Sequence, residues 1–355
     1  MRYNKITQFY PIITYLKKTT GQSRTMVPKQ ILVIQTAFIG DVILATSLLE
    51  TLHMGLPGTR IDIIVRKGNE SLFKGHPFLR DILIWDKKGG KYKSLLQLLR
   101  HIRKREYDHV LNLQRYGATG LLTAFSGANH TAGFDKNPLS FLFSRRYPHR
   151  FEQGIHETDR NHLLASELTD APLQKPKLYP QTDDYLYISH FQQTPYFCIA
   201  PTSVWFTKQF PLEQWNRLID LLPPKHTIYL LGSPADAPLA EKLASGRAHV
   251  VNLCGKLSFL QSAALMEGAL MNYVNDSAPM HLCSAVNAPV CAVYCSTLPE
   301  FGYGPLSDQS FVIQIETALP CRPCGIHGHK ACPEGHFRCA QEIDVYRIAA
   351  LANIP

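Results

Sequence analysis

Long hydrophobic segments are absent from this sequence of 355 residues. No stretch approaches the ~18 to 20 uninterrupted apolar residues that a membrane-spanning helix requires. The first apolar segment, residues 6–16, is interrupted by threonine, glutamine and Pro11, unlike the core of a secretion signal. These absences argue against a membrane-spanning or secreted protein, and they predict a cytoplasmic location.

The chain also lacks an even number of cysteines: it has nine, which cannot all pair in disulfides within one chain. Five lie in apolar stretches, where reduced and buried thiols are expected: Cys198, Cys254, Cys283, Cys291 and Cys295. The disulfide framework of a secreted protein is therefore disfavoured. Charged residues make up 18% of the chain and hydrophobic residues 45%, which argues against disorder and predicts a globular protein.

Several nucleotide-binding and nucleic-acid-binding signatures are missing. No GxGxxG fingerprint follows a predicted strand and there is no P-loop, which argues against a dehydrogenase and against a P-loop nucleotidase. The sequence contains no RRM, KH or zinc-finger signature. We therefore expect no nucleic-acid partner, although the basic charge of the chain would suit one.

Basic residues are abundant and locally concentrated. Lysine and arginine number 37 against 28 acidic residues, which gives a net charge of +9. Six basic residues precede the first acidic one, Asp41, and residues 87–105 contain eight without a carboxylate. Such concentrated charge favours an anionic partner such as lipid phosphate, an anionic polysaccharide or nucleic acid. The alternative is an ordinary solvated helix face.

The hydrophobic pattern predicts two α/β halves. Nearly continuous apolar runs, typical of buried parallel strands, occur at residues 31–35, 61–65, 81–85, 109–114, 196–200, 227–231, 269–274 and 289–294. Segments with helical spacing of apolar residues lie between them, at residues 41–53, 95–105, 212–222, 235–244, 258–268 and 280–286. The chain length also suits two domains of ~100 to 200 residues each.

We predict an α/β fold of two Rossmann-like, doubly wound domains that face a central cleft, with ligands at the carboxyl ends of the strands. The predicted parts are a basic N-terminal extension (1–29), a first Rossmann-like domain (30–171), a proline-rich linker (172–195) and a second Rossmann-like domain (196–355). The extension carries aromatic residues that would suit a membrane interface. Translation that starts at Met26 is an equal alternative.

Asp41 follows the first predicted strand where a helix begins. Gly40 would let the backbone turn closely before it, and helix amides would hold the carboxylate at the expected cleft. One interpretation is a catalytic carboxylate. The other is an ordinary helix cap, because aspartate is among the preferred N-cap residues.

Two hydroxyls and an ammonium follow the strand at 196–200. Thr202, Ser203 and Lys208 could hold a diphosphate there, with the lysine as counter-charge to a leaving group. The alternative is a solvated loop lysine.

A second polar group follows the strand at 269–274. Asp276 and Ser277 precede a helix whose N-terminus would bind phosphate, and His281 lies four residues after Ser277 on the same helix face. The alternative is a capped helix with a buried histidine.

These three segments together resemble glycosyltransferase family 9, the heptosyltransferases of lipopolysaccharide assembly. The family opens with a strand and a Gly-Asp pair, as residues 31–52 do here. Its Lys-x-aromatic-Pro element is matched by residues 208–211. Its Asn-Asp-Ser-Gly-x-Met-His element is matched by residues 275–281, except that Ala278 replaces the glycine. The resemblance extends over roughly residues 30–350.

The resemblance implies a GT-B fold and inverting transfer of heptose from ADP-heptose to a lipid A-linked core acceptor. Asp41, next to Gly40, would be the base in the N-terminal acceptor domain. The residues implied to hold the diphosphate and the sugar phosphate are Lys208, Thr202, Ser203, Asp276, Ser277, Ala278 and His281. An anionic glycolipid acceptor would place the protein peripherally at the cytoplasmic face of the inner membrane.

No cofactor is implied, because Lys208 and a helix N-terminus would neutralise the diphosphate without a metal. The DxD-like pair of the other transferase architecture is absent near the expected cleft, since Asp183-Asp184 lies in the predicted linker. At Ala278 a Cβ would approach the phosphate, and a positive φ there would be strained. Two alternatives stay open: a family 9 transferase for another nucleotide sugar, and a catalytically silent glycolipid-binding homologue.

Four cysteines gather in the segment 321–339. Cys321, Cys324, Cys332 and Cys339 could close an all-thiolate structural zinc site. Because the second pair lacks the CxxC spacing of zinc ribbons, reduced structural thiols and a redox disulfide are the alternatives.

Overall fold

The computed structural model describes residues 27–87 and 90–353, which form two compact units. Apart from residues 88–89, the first unit contains residues 27–151 and Glu157–Lys177. The second contains Glu152–His156 and residues 178–353. The predicted membrane-interface role of the N-terminal extension and the predicted start at Met26 concern residues 1–26, outside the described residues.

The first unit is built on a six-stranded parallel sheet in the order β3-β2-β1-β4-β5-β6. Its strands are β1 (Gln30–Ile34), β2 (Arg60–Arg66), β3 (Leu79–Trp85), β4 (His109–Asn112), β5 (His130–Phe134) and β6 (Arg145–Tyr147). Ile31 of β1 pairs with Ile61 on one side and with His109 on the other. Strand order reverses at β1, so ligands are expected beyond the carboxyl ends of β1 and β4.

Helices cover the sheet of the first unit. The α-helices among its described residues are α1 (Ile39–Gly55), α2 (Lys91–Arg105), α3 (Gly117–Ala124) and α4 (Glu157–His162). Burial on both faces explains why β1 is apolar at four consecutive positions. On α2, Leu95, Leu98 and Ile102 point into the core beside Leu32, while the opposite side of the helix is exposed.

The second unit repeats this plan with the parallel strand order β12-β11-β10-β7-β8-β9. Its strands are β7 (Tyr196–Ala200), β8 (Thr227–Leu230), β9 (Val250–Asn252), β10 (Met271–Asn275), β11 (Val290–Tyr294) and β12 (Ser310–Gln314). Val274 of β10 pairs with Ala200 of β7 and with Ala292 of β11. The segments that follow these three strands therefore leave the same edge of the sheet side by side.

The helices of the second unit include one inside the predicted linker. They are α5 (Thr182–Ile188), α6 (Leu212–Leu221), α7 (Ala237–Ala244), α8 (Phe259–Glu267), α9 (Ala278–Ala285), α10 (Arg338–Gln341) and α11 (Val345–Ala349). α5 packs on α8. Leu178, at the start of this segment, donates its amide to the Ala285 carbonyl at 3.0 Å. Much of the proline-rich segment is thus packed onto the second unit.

The predicted fold class, two doubly wound α/β halves, is confirmed. Each of the eight predicted strands is present with its ends within two residues of the prediction. Four further strands, β5, β6, β9 and β12, were not predicted from the sequence. Within the described part of the chain, no helix combines the length and apolar character needed to cross a membrane.

Candidate active site

The predicted lysine and aspartate of the second unit meet at the carboxyl edge of its sheet. Lys208 ends a short 3-10 turn after β7, and its Nζ lies 2.6 Å from Oδ2 of Asp276, which follows β10. The two side chains are only 14% and 6% exposed. Thr297, beyond β11, donates its hydroxyl to the same carboxylate oxygen at 2.6 Å. The segments that follow the adjacent strands β7, β10 and β11 thus hold the Lys208 ammonium in a largely buried position.

His281 lies on the first turns of α9, close to this ion pair. It is buried, and burial first and nearby His156 second lower its pKa to about 3. The ring is therefore neutral at physiological pH, and its buried Nδ1 has no hydrogen-bond partner among the described residues. A neutral imidazole has one nitrogen that donates and one that accepts, so it can form a hydrogen bond with a polar ligand without adding charge.

The remaining predicted residues of this motif occupy the start of α9. Ser277 is the N-cap residue with an extended backbone, and Ala278 is the first helical residue. Ala278 does not have a positive φ, so the strain considered for a residue that replaces glycine is not present. Asn275 was not predicted as a site residue, yet its Oδ1 accepts the Phe210 amide at 2.8 Å and ties the lysine loop to β10.

The two predicted hydroxyls lie on the lysine loop. Thr202 and Ser203 lie two and three residues after the end of β7 and are half-buried. The Ser203 carbonyl accepts a hydrogen bond from the Gln209 side chain at 2.6 Å, which closes the loop across Lys208. The loop therefore places these hydroxyls and Lys208 on one short segment.

The C-terminal segment braces this loop through contacts that the sequence does not predict. The amide of His329 donates to Oγ1 of Thr207 at 2.8 Å, and the amide of Thr207 donates back to the His329 carbonyl at 3.1 Å. Ser296 donates its hydroxyl to the Thr207 hydroxyl at 3.0 Å. Thr207 immediately precedes Lys208, so these contacts fix the backbone that carries the ammonium.

Arg322 holds the end of β11 from the same C-terminal segment. Its guanidinium donates to the carbonyls of Cys295 at 2.6 Å, Thr297 at 2.8 Å and Tyr294 at 3.3 Å. A further hydrogen bond at 2.7 Å reaches the side chain of Gln314. These partners lie 8 to 28 positions away in sequence, so no local pattern could reveal the role of Arg322.

The four cysteines of the 321–339 segment lie near one another. Burial first, and then the neighbouring thiols, raise the pKa of Cys339 to about 11. Sγ of Cys321 lies 3.8 Å from Nε2 of His336, and the Cys324 thiol donates to the Cys321 carbonyl. Within the described residues, however, no three histidine, cysteine or acidic side chains are arranged to hold a metal ion. The zinc site stays a prediction that this arrangement does not support.

Asp41 lies in the first unit, at the third position of α1. Phe38 is the N-cap residue and Gly40 is already helical with no positive φ, so neither the capping interpretation nor the predicted tight turn describes this segment. Burial first and the charge of Glu157 second raise the pKa of Asp41 to about 7, against an opposing effect of Arg115. A carboxylate with this pKa can accept a proton near neutral pH.

Glu157, at the start of α4, influences Asp41 although it was not predicted as a site residue. It is buried, with Arg160 Nε 2.7 Å from one carboxylate oxygen and His149 Nε2 3.6 Å from the other. Burial opposes its ionisation, but the contacts with His149 and Arg160 outweigh burial and hold the pKa of Glu157 below its usual value. Glu157 therefore stays ionised, and its charge favours the protonated form of Asp41.

The fold defines the class of protein. The structure resembles that of an Escherichia coli ADP-heptose LPS heptosyltransferase II with a TM-score of 0.75 and 21% identity, over 91% of this chain and 97% of that one. It also resembles Escherichia coli heptosyltransferase WaaC bound to ADP-2-deoxy-2-fluoro heptose, with a TM-score of 0.65 and 21% identity, over 81% of this chain and 93% of that one. Two Rossmann-like units of this kind form a GT-B fold.

The sequence defines the family. The model of glycosyltransferase family 9 (heptosyltransferase) matches residues 95–334, more than half of the chain. A curated relative, lipopolysaccharide heptosyltransferase 1 of Pseudomonas aeruginosa, is 25% identical over 315 residues, which cover 83% of this chain and 86% of the relative. The chain belongs to glycosyltransferase family 9, and the predicted family is confirmed.

Proposed function

We propose that this protein transfers heptose from ADP-heptose to the core region of a lipid A-linked lipopolysaccharide acceptor, with inversion at the anomeric carbon. Family membership supports glycosyl transfer, and the names of the relatives supply heptose, ADP-heptose and lipopolysaccharide. The observation that carries the proposal is the Lys208 ammonium, held by Asp276 beside the start of α9. A fixed cation beside a helix N-terminus suits a diphosphate.

The second unit would hold the donor. The ammonium of Lys208 and the amino end of α9 would face the diphosphate, with the hydroxyls of Thr202 and Ser203 as further donors. Asp276 keeps Lys208 in place and His281 offers a neutral hydrogen-bonding ring beside it. Ala278 is the first residue of this helix, so its Cβ lies where the diphosphate would approach. Donor preference is therefore the first property to measure.

The transfer step needs one base and one stabilised leaving group. Asp41 would accept the proton of the acceptor hydroxyl as its oxygen forms a bond to the anomeric carbon. The bond from that carbon to the diphosphate oxygen breaks at the same time, and ADP departs with the electron pair. Attack opposite the departing diphosphate inverts the anomeric centre. Lys208 would then stabilise the charge that develops on the leaving oxygen.

We infer that the reaction needs no metal, since the ammonium and the helix N-terminus supply positive charge where the diphosphate would lie. Turnover should then survive an excess of EDTA and respond little to added Mg²⁺. Loss of turnover with EDTA, restored by Mg²⁺, would contradict this inference.

The anionic glycolipid acceptor is embedded in a membrane, so the enzyme would work peripherally at the cytoplasmic face of the inner membrane. No nucleic acid takes part in this proposal. The basic residues of α2 belong to the first unit, which would receive the acceptor.

Nucleotide binding and turnover of two variants test the proposal. ADP or an ADP-sugar should raise the melting temperature of the wild type more than UDP or GDP does, because a ligand that binds only the native state stabilises it. Lys208→Ala should lose most of this increase. Asp41→Asn should keep the increase and lose about 10²- to 10⁴-fold in turnover, the usual contribution of a general base.

Three other results would change the assignment. Preferential stabilisation by another nucleotide would move the donor to a different nucleotide sugar. Glycolipid binding without turnover in the wild type would indicate a catalytically silent homologue. Full turnover by Asp41→Asn would overturn the assigned base.

A further inference from the structure

The first unit has a basic helix surface that its own carboxylates do not neutralise. α2 contains no acidic residue. Lys93, Arg100, Arg103 and Lys104 are exposed on it, and none is ion-paired within the described residues. Two other members of the basic run are engaged in the unit: Lys87 donates to the Thr36 carbonyl at 2.9 Å and Arg105 pairs with Asp81 at 2.8 Å.

Exposed apolar side chains lie beside these cations. Leu96 is 52% exposed and precedes Arg100 and Lys104 by four and eight positions, so the three share one side of α2. Leu121 of α3, which packs against α2, is 41% exposed, and Phe125, the C-cap residue one turn later, is 48% exposed. Both α2 and the helical segment that packs against it therefore carry exposed apolar side chains.

A third element continues the surface towards the site edge of the sheet. The 3-10 turn Ser140–Leu142 packs against α3, and its Phe141 and Leu142 are 67% and 47% exposed. This turn follows β5, whose carboxyl end lies at the same edge of the parallel sheet as the segment that carries Asp41. Exposed apolar side chains are thus present on three consecutively packed elements, and the last of these lies on the connection that leaves the sheet edge where α1 begins.

We propose that α2, α3 and the turn Ser140–Leu142 form a docking surface for an anionic phospholipid bilayer. Cations next to exposed aromatic and aliphatic side chains suit the headgroup boundary, where the charges meet lipid phosphate and the apolar groups enter the acyl region. A bilayer meets both features of the surface, since lipid phosphate matches the cations and the acyl region takes up Phe141 and Leu142. The biological reason rests on the proposed function, since its acceptor is lipid-linked, but binding to vesicles is measurable without transfer.

Sedimentation with vesicles of phosphatidylcholine alone or with 30% phosphatidylglycerol tests the surface. The full chain should bind the anionic vesicles more tightly. A charge variant, Lys93→Gln with Arg100→Gln, Arg103→Gln and Lys104→Gln, should lose about 100-fold or more in partitioning, because each basic residue near an anionic surface contributes severalfold. An apolar variant, Phe141→Ser with Leu142→Ser, should weaken the binding that remains at high salt.

A matched control neutralises four exposed cations of the second unit: Arg217, Lys225, Lys242 and Lys256. This control should bind anionic vesicles within about threefold of the wild type, because these charges lie outside the proposed surface. Equal loss in the control, or wild-type binding by the charge variant, would overturn the docking surface, as would failure of the wild type to bind anionic vesicles.

Each variant is also checked for its melting temperature and for its stabilisation by ADP. Wild-type values show that the fold and the donor site are intact. Vesicle binding that fails while stabilisation by ADP persists would reject only the docking surface. Vesicle binding without any response to ADP would reject only the proposed donor.

Discussion

Asp41 and Glu157 are two carboxylates of one unit with opposite protonation preferences. Asp41 is assigned as the base, and burial and the Glu157 charge hold its pKa near 7. Glu157 is ionised because Arg160 and His149 compensate for its burial. A residue whose pKa lies near the working pH is suited to accept a proton and release it again.

The pH dependence of kcat/KM should report this pair. Only ionised Asp41 accepts a proton, so kcat/KM should rise about tenfold per pH unit below pH 7 and level off above it. Glu157→Gln removes a negative charge and should move the midpoint to lower pH. A midpoint that stays in place, or moves upward, would contradict the effect of Glu157 on Asp41. Arg145→Gln, which breaks an exposed ion pair of the same unit, serves as the control.

Variants of Lys208 and Asp276 distinguish the contribution of Lys208 to the stability of the fold from its contribution to nucleotide binding. Lys208→Ala leaves the buried Asp276 carboxylate without its cation, and such losses cost about 3 to 5 kcal/mol of unfolding free energy. Lys208→Ala combined with Asp276→Asn should recover most of this loss, since the Thr297 hydroxyl still has an oxygen to bind. Denaturant unfolding measures both variants.

Nucleotide binding by the double variant then isolates the role of the ammonium. It should stay as weak as in Lys208→Ala, because the positive charge is still absent. Recovery of ADP binding together with stability would show that Lys208 acts only in the fold.

At the scale of elements, the C-terminal segment that carries Arg322 and His329 braces the proposed donor site, although no residue of this segment was predicted to bind the donor. Arg322 fixes three carbonyls at the end of β11, and His329 fixes Thr207 before the lysine. The chain after β12 thus returns to the sheet edge and joins the segments after β7 and β11.

Arg322→Ala should therefore destabilise the protein and weaken donor binding together. It leaves several buried carbonyls without a donor, at about 1 to 3 kcal/mol of unfolding free energy for each unsatisfied group. KM for the donor should rise, because the Thr297 segment that holds Asp276 loosens. Arg322→Lys restores the charge but not the forked geometry, so it should recover only part of both losses.

Arg338→Ala gives a control in the same segment. Arg338 pairs with Glu342 on the exposed side of α10, and this change should leave the melting temperature and KM nearly unchanged. An unchanged KM for the donor in Arg322→Ala would show that the segment at the end of β11 keeps its conformation without the Arg322 hydrogen bonds.

The elements that the sequence predicts share a strong local signal, and the missed ones lack it. β1 is apolar at four consecutive positions and β7 contains mostly apolar residues, because both faces of each strand are buried. β5 has the sequence HTAGF and β9 is only three residues long, so neither shows the pattern of a buried strand. The site follows the same rule. Lys208 and Asp276 stand in recognisable motifs, whereas Arg322 acts through partners 8 to 28 positions away that no local pattern links to the site.

At the scale of the molecule, the excess of basic residues has a consequence for activity on membranes. The net charge is +9, and the unpaired cations of α2 lie in the unit assigned to the acceptor. Attraction between this surface and an anionic bilayer acts over distances comparable to the Debye length, which falls from ~10 Å at 0.1 M salt to ~3 Å at 1 M. Salt should therefore weaken the approach to the membrane far more than the chemical step.

Comparing two acceptor forms at rising salt isolates this contribution. With acceptor embedded in anionic vesicles, kcat/KM should fall at least tenfold between ~0.05 M and ~0.5 M NaCl, because screening weakens attraction to the surface. With a soluble, delipidated core oligosaccharide it should change by less than about threefold, because the partly buried Lys208 and Asp276 are screened much less. The α2 charge variant should lose the extra salt dependence with vesicles. A similar fall with both acceptors would show that salt acts in the active site. The net positive charge of the protein would then have no role in its activity on membranes.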